Sequence, residues 1–471
     1  MTQMPTATVH APTAPRNLDE LQHMLRGPVL GPDDAGYDEE RHGFSLAAVH
    51  RPDLIVGAAG SADVQAAVAY ADRHRIPVAV QATGHGAPSP AAGGLLITTR
   101  RMAGVTVDPE RRTAWIEAGT QWQPVIEAAA RHGLAPLSGS SPHVGAVSYT
   151  LGGGLGLLGR TFGYAADHVR RIHAVTADAQ LREVTPESDP DLFWALCGGR
   201  ANFGVVTRLE IGLVPVSRIY GGALYLDIDE SPQVLRAWRD WTSSVPNEMT
   251  SSIALIPFPD VPSAPGPLRG RTVAHVRVAY VGGPSAGAEL VESLRQQVGD
   301  VLIDTVREMD YTESGSICAD PTDPQASTMV SAMISDVPDP ALAAIEQTSR
   351  GRDSVPCILE LRHLGGALSR RPPVPNAVGH RNAQYLLGAI TPLGTIGADA
   401  AAVVHRRLLA GLDPWTVGRF LNYTAGANAT ADEVRAAYEP DDYRRLADLK
   451  ALHDPTDLFR LNHHIAPAGH P

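Results

Sequence analysis

Apolar and polar positions along the chain fall into two textures that meet near residue 215. In the first, short apolar runs are interleaved with helical periodicity. Residues 53–59 and 76–82 read as strands flanking a helix at 61–75, with Ser61 the expected N-cap and Val64, Ala67, Val68 and Ala71 its apolar face. A short helix at 18–25 precedes them, after a Pro/Thr-rich start expected to be mobile. Residues 104–119 alternate about the turn Asp108-Pro109-Glu110, and 169–185 do likewise, so each predicts a hairpin. Residues 122–134 read as a helix closed by Gly133, and 189–196 as another.

In the second texture, strands at 221–228, 251–258, 273–283, 327–334, 357–366 and 383–392 alternate with helices at 231–241, 285–298, 340–349 and 398–412. That order predicts a large antiparallel sheet with helices on one face, and the α+β class for the whole. The tail, 436–467, reads as helix, turn and extended end.

A chain of 471 residues exceeds what one hydrophobic core usually serves, which points to two domains. A net charge of −12 argues against nucleic acid or an anionic membrane as main partner. Lys450 is the only lysine, and no function is read into that bias. Cys197, Cys318 and Cys357 are too widely spaced for a disulfide framework or a metal motif, and no metal is expected. The start lacks the apolar core of a signal peptide, and no apolar run reaches the ~18 residues of a membrane span. The expectation is a soluble, cytoplasmic protein, monomer or homodimer, acting on a small molecule.

Candidate chemistry begins at Gln81-Ala82-Thr83-Gly84-His85-Gly86. It sets a histidine between two glycines at the tip of what reads as a tight strand-to-strand connection. Further on, LGGGLGLLG at 151–159 brings glycines so close that the backbone must approach something. Two readings stand: main-chain N–H groups cradling a dinucleotide pyrophosphate, or a tight turn packed against a helix. A Rossmann site fits poorly, because 140–150 is no buried parallel strand and no acidic residue ends a strand about 20 residues later. A Walker loop is excluded, since no lysine follows the glycines.

Together, the glycine-flanked His85, Ser140-Ser141-Pro142-His143-Val144-Gly145, the 151–159 run, GGRANFGVV at 198–206 and the terminal Leu461-Asn462-His463-His464 resemble one family. It is the berberine-bridge-enzyme-like, PCMH-type FAD-linked oxidases of the vanillyl-alcohol-oxidase superfamily, over about Tyr37 to Pro467. The resemblance implies an FAD-binding domain at 36–214, a substrate domain with the large sheet at 215–424, and a C-terminal segment, 425–471, completing the FAD site. Residues 1–35 form an N-terminal segment with the short helix.

In such oxidases the loop histidine is bonded to the 8α-methyl carbon of the flavin, which implies that His85 carries FAD. Gln81, Ala82, Thr83, Gly84 and Gly86 then wrap the pyrophosphate, with Gln81-Ala82-Thr83 standing where many relatives have Arg-Gly-Gly. Ser141 replaces the cysteine of two-link members, so a single covalent link is implied. Val144 falls at the oxygen-gating position and favours O₂ as acceptor. Further implied cofactor contacts are His143, Gly145, Ser148, Gly152, Gly153, Gly156, Asn202, Gly204, Val205, Val206 and Asn462, with His464 in the place of a second asparagine.

Tyr423 matches an Asn-Tyr strand facing the flavin and is the first candidate for the catalytic base, which requires cations to lower its pKa. Glu360, Arg362 and Leu364 share one face of their strand by the two-residue period. They either assist catalysis or form an exposed or mutually paired set, and Tyr385 is a further pocket candidate. The implied reaction moves a hydride from a small organic alcohol, ketone or amine, of secondary-metabolite type, to the flavin and then to O₂, giving H₂O₂. The alternatives are a dehydrogenase with another acceptor, and a flavin-containing cyclase or scaffold.

Overall fold

Three sheets organise the chain. The computed structural model describes residues 14–86, 90–350, 355–394 and 396–469. Most of the Pro/Thr-rich start expected to be mobile, and residues 87–89 of the Pro/Ala/Gly turn, lie outside the described residues.

The first sheet has four strands. Leu54–Gly57 and Val78–Gln81 flank Leu95–Thr98, which runs parallel to both, and Val29–Leu30 pairs antiparallel at the edge. Parallel neighbours need a crossover rather than a hairpin. The connection bearing His85 is therefore no tight strand-to-strand turn. It leaves the C-terminal end of one strand and travels back before the next begins. The helix Ser61–His74 is capped at Gly60, and Ser61 makes no capping bond. Asp63 substitutes, accepting N–H bonds from Ala59 at 2.9 Å and from Arg26 and Gly27 at 3.1 Å.

The second sheet joins the two expected hairpins, Val105–Asp108 with Thr113–Glu117 and Val169–Val175 with Leu181–Val184, through Val205–Gly212. Trp122, Val125, Ile126, Leu192 and Phe193 from two helices bury against it.

The third sheet has nine strands, antiparallel throughout. The two-residue period divides its faces. Ile253, Leu255, Val276, Leu359, Leu361, Leu387 and Ala389 pack under four helices, Val234–Thr242, Pro284–Val298, Asp339–Ser349 and Ala398–Leu412. Each fully buried branched side chain there contributes about 1.5–3 kcal/mol. Their alternates Ala254, Ile256, Arg277, Ile358, Glu360, Arg362 and Ile390 line a cavity on the opposite face. Tyr385 belongs to the helix-covered face, where its hydroxyl meets Thr242 Oγ1 at 2.7 Å, so strand parity removes it from the pocket candidates.

After the helix Pro440–His453 the tail turns on the chain's single lysine. Lys450 is fully buried and its ammonium meets Asp454 at 2.5 Å, Asp457 at 3.2 Å and the Asn202 carbonyl at 3.0 Å. Asp454 also accepts the N–H groups of Leu458 and Phe459 at 2.8 and 2.9 Å. A buried charge persists only when so surrounded, and this one fixes the tail beside the second sheet. Among the described residues no helix is long and apolar enough to cross a membrane, and no cluster of His, Cys, Asp and Glu could hold a metal.

Candidate active site

A cavity of about 580 Å³ lies between the uncovered face of the nine-stranded sheet and the C-terminal ends of the parallel strands. That volume is in the range of a cofactor site, and the carboxyl ends of parallel strands are where such ligands sit.

At one end stands His85. Its Nδ1 is 2.9 Å from Thr83 Oγ1, which also accepts the Gly145 N–H at 3.2 Å. The Phe44 ring stacks on the imidazole, with centroids 3.9 Å apart and planes 10° from parallel. Nε2 is buried and has no hydrogen-bond partner. Burial, with His143 adding to it, lowers the pKa of His85 to about 4, so the ring is neutral near pH 7.

Arg200 was no candidate from sequence, yet it lines the cavity beside this loop. It adopts φ 55° and ψ −141°, a region that costs a non-glycine residue energy and is found at functional sites. Its Nη1 donates to the Gly86 carbonyl at 3.4 Å and to His463 Nδ1 at 3.3 Å, and Nη2 donates to Asn422 Oδ1. Burial lowers its pKa to about 10, which leaves it cationic at neutral pH. His463 is fixed as the Nε2–H tautomer by the Thr424 carbonyl at 2.5 Å. Burial and then Arg200 lower its pKa to about 3.

The other expected cofactor residues divide. Gln81, Ala82, Gly84, Gly86, Ser141, Val144, Ser148, Gly204, Val205, Val206 and Asn462 line the cavity, whereas Thr83, His143 and Gly145 do not. Gly152, Gly153 and Gly156 do not reach it. A Cβ on Gly152 would lie 2.0 Å from Asn422 Oδ1, and one on Gly156 would lie 2.2 Å from the Ser138 carbonyl. At Gly153 φ is +106° and the N–H is taken by Thr150. These glycines admit protein neighbours, which is the packed-turn reading of the run. Asn202 is buried outside the cavity and positions the tail, bonding the His463 carbonyl and the Ile465 N–H at 2.9 Å each. His464 turns away to Asp457 at 3.0 Å.

On the sheet side Glu360 is buried between Arg277 and Arg362, the latter at 2.9 Å. Burial pushes its carboxyl up, but Arg362 and Arg277 outweigh burial and hold it below the usual range. The pair expected at 360 and 362 is thus mutually bonded and faces the cavity, while Leu364 lies past the strand end in a separate apolar cluster. Tyr423 lies in a 3₁₀ turn, Leu421–Tyr423, rather than a strand. Its ring fills the space a side chain at Gly388 would need, and the Arg362 guanidinium lies 5.4 Å from the ring centre. Burial raises the Tyr423 pKa, and Arg362 opposes the rise.

Residues 52–185 match the family model described as an FAD binding domain. The chain is 26% identical over 464 residues to (R)-6-hydroxynicotine oxidase of Paenarthrobacter nicotinovorans, covering 94% of this chain and 98% of that protein. Its fold matches the crystal structure of 6-hydroxy-D-nicotine oxidase from Arthrobacter nicotinovorans with a TM-score of 0.81 at 24% identity, over 94% of this chain and 98% of that one. Physcomitrella patens BBE-like 1 gives 0.82 at 18% identity, over 97% and 100%. Over nearly its whole length the chain resembles the berberine-bridge-enzyme-like, PCMH-type FAD-linked oxidases. It is an oxidoreductase with the α+β fold of that family.

The residues present fit FAD. His85 Nε2, Tyr149 Oη, Arg200 Nε and Asn462 Oδ1 belong to cavity-lining residues and are buried without a protein partner. Orphaned buried polar atoms are rare in folded proteins unless a ligand completes them.

Proposed function

We propose that this protein is an oxidase whose FAD is held by one covalent bond, from His85, and that it oxidises a small organic alcohol, ketone or amine of secondary-metabolite type. The observation that carries the reading is a neutral imidazole in the cofactor cavity whose Nε2 is buried and unpartnered. A neutral imidazole can act as a nucleophile, and a protonated one cannot. Ser141 offers no thiolate for a second link.

In this reading residues 36–214 with the tail 425–471 hold the cofactor, and residues 215–424 supply the substrate face. Arg200 offers the positive charge that the Gln81-Ala82-Thr83 loop lacks, and Asn462 and Val206, in the cavity wall, would help to hold the cofactor. FAD, when bound, supplies hydride acceptance and passes the electrons to O₂. The substrate loses two electrons and two protons, and O₂ gains them as H₂O₂. Tyr423 receives the substrate's acidic proton, and Arg362, above its ring, favours the phenolate that this requires. Val144, in the cavity wall, leaves room for O₂ where a larger aliphatic would exclude it.

Acid precipitation of the purified protein tests the link. A yellow pellet is expected, and a colourless pellet over a yellow supernatant rejects the bond. Reducing the flavin without oxygen and then admitting air tests the acceptor: prompt reoxidation with H₂O₂ release is expected, and persistent reduction indicates a dehydrogenase.

A further inference from the structure

The cavity face of the large sheet gathers two guanidiniums at one end. Ser252 is the cross-strand partner of Arg277 on one side and of Arg362 on the other, so two guanidiniums flank one small residue. The single carboxylate they share is Glu360, one step further along the face. Arg277 spends Nε on His275 and Nη1 on Glu360. Arg362 spends Nε on Glu360 and Nη2 on Ser140. Among the described residues Arg277 Nη2 and Arg362 Nη1 have no hydrogen-bond partner. Asp320, half-buried in the cavity wall, makes no ion pair with either arginine. The three bonded groups carry one formal positive charge, and Asp320 acts on Arg277 through space without bonding it, so each guanidinium keeps a donor for a further acceptor.

The rest of the face is apolar. Met329, Ile390 and Ile358 are consecutive cross-strand partners, with Ile256 beside them, and all four line the cavity. Ile358 and Arg362 are four residues apart on one strand, which is about 13 Å at the rise of an antiparallel strand. Between the two rows stands the Tyr423 ring, over Gly388, the partner of Glu360.

We propose that the substrate is an amphipathic carboxylate: its carboxylate binds Arg277 and Arg362, its apolar body lies on the row Ile256, Ile358, Ile390 and Met329, and the carbon to be oxidised lies between them at Tyr423. The proposal rests on the reading of the cavity as a flavin and substrate chamber. Two convergent guanidiniums suit a carboxylate because its two oxygens accept two charge-assisted bonds. They favour a carboxylate over a neutral isostere, whose hydrogen bonds to them are charge-assisted on one side only.

The test titrates phenylacetate, 3-phenylpropanoate, 4-phenylbutanoate and 5-phenylpentanoate, each beside its primary amide, into the purified holoprotein by calorimetry. At least one acid is expected to bind tenfold or more tighter than its amide, with the longer chains favoured. In Arg277→Met that preference should fall to within about twofold, and Arg277→Lys should retain part of it. If no acid binds tighter than its amide, or if Arg277→Met and Arg362→Met keep the full preference, the proposal is wrong. Should the methionine variants fail to fold, the wild-type comparison and Arg277→Lys decide alone. Flavin content read from absorbance separates the two readings: yellow protein without acid preference refutes only the carboxylate site, and colourless protein with it refutes only the flavin oxidase.

Discussion

The Thr83 hydroxyl lies 2.9 Å from His85 Nδ1 while accepting the Gly145 N–H at 3.2 Å. One side chain thus ties the histidine loop to the start of the helix Ala146–Leu151, and it occupies one imidazole nitrogen while the other has no partner. A hydroxyl oxygen can accept from Nδ1–H and from the Gly145 N–H at once, which leaves the lone pair on Nε2 and which a methyl cannot do.

Thr83→Val should therefore loosen the ring and leave a buried N–H unpaired, at a cost of about 1–3 kcal/mol. Covalent flavin incorporation, followed as absorbance retained by acid-denatured protein, is expected to slow by roughly tenfold. Thr83→Ser should incorporate flavin at nearly the wild-type rate. Equal rates in valine and wild type would mean that the contact does not orient His85.

Tyr423→Phe should leave flavin content intact and reduce turnover by about 10²–10⁴-fold, the usual worth of a positioned base. Because burial raises the Tyr423 pKa, only a small fraction is ionised near neutrality, so the rate should climb with pH into the alkaline range. Arg362→Met removes the opposing cation and should move that climb to still higher pH. A rate–pH profile that is flat above neutrality in wild type would exclude Tyr423 as the base.

How much of this is legible in the sequence depends on what each residue type can report. Strand period alone places Glu360 and Arg362 together, and the structure finds both on the cavity face. The same arithmetic does not say which face of its strand Tyr385 takes, because parity is set by the register with His363 and Ile334 across the neighbouring strands. Glycine says that something comes close to the backbone but not what: at Gly152 it is Asn422 and Arg200. Arg200 itself is invisible beforehand, since nothing in an arginine codon signals a left-handed backbone. Lys450 has the composition of a stray surface lysine, and only its position four residues before Asp454 hints at a buried pair.

Lys450→Met should strand Asp454 in the interior, and breaking such a pair typically costs about 3–5 kcal/mol. Thermal unfolding should shift down, and limited proteolysis should cut the tail beyond His453 earlier than in wild type. An unchanged melting temperature with a protected tail would show that the pair is not what fixes it.

Five histidines are lowered furthest and held neutral. Burial leads in every case, lowering His85 and His405 to about 4, His363 and His463 to about 3, and His275 to about 2. Each takes up a proton in the unfolded chain near the ordinary value of about 6.5 but resists it when folded. The stability they contribute is present above that value and is lost as pH falls below it, through about 4 and toward 2. Urea unfolding midpoints should fall steadily from pH 6.5 to pH 4. His405→Gln, far from the cofactor, should make that fall shallower. A midpoint constant across this interval would contradict the buried neutral state.

Mass spectrometry of the tryptic fragment spanning Ile76 to Arg100, taken from fully yellow protein after denaturation, reads the His85 bond itself. The fragment should carry the mass of one FAD less two hydrogens, with fragmentation placing the addition on His85. The unmodified peptide mass, or an addition elsewhere in the fragment, would contradict it.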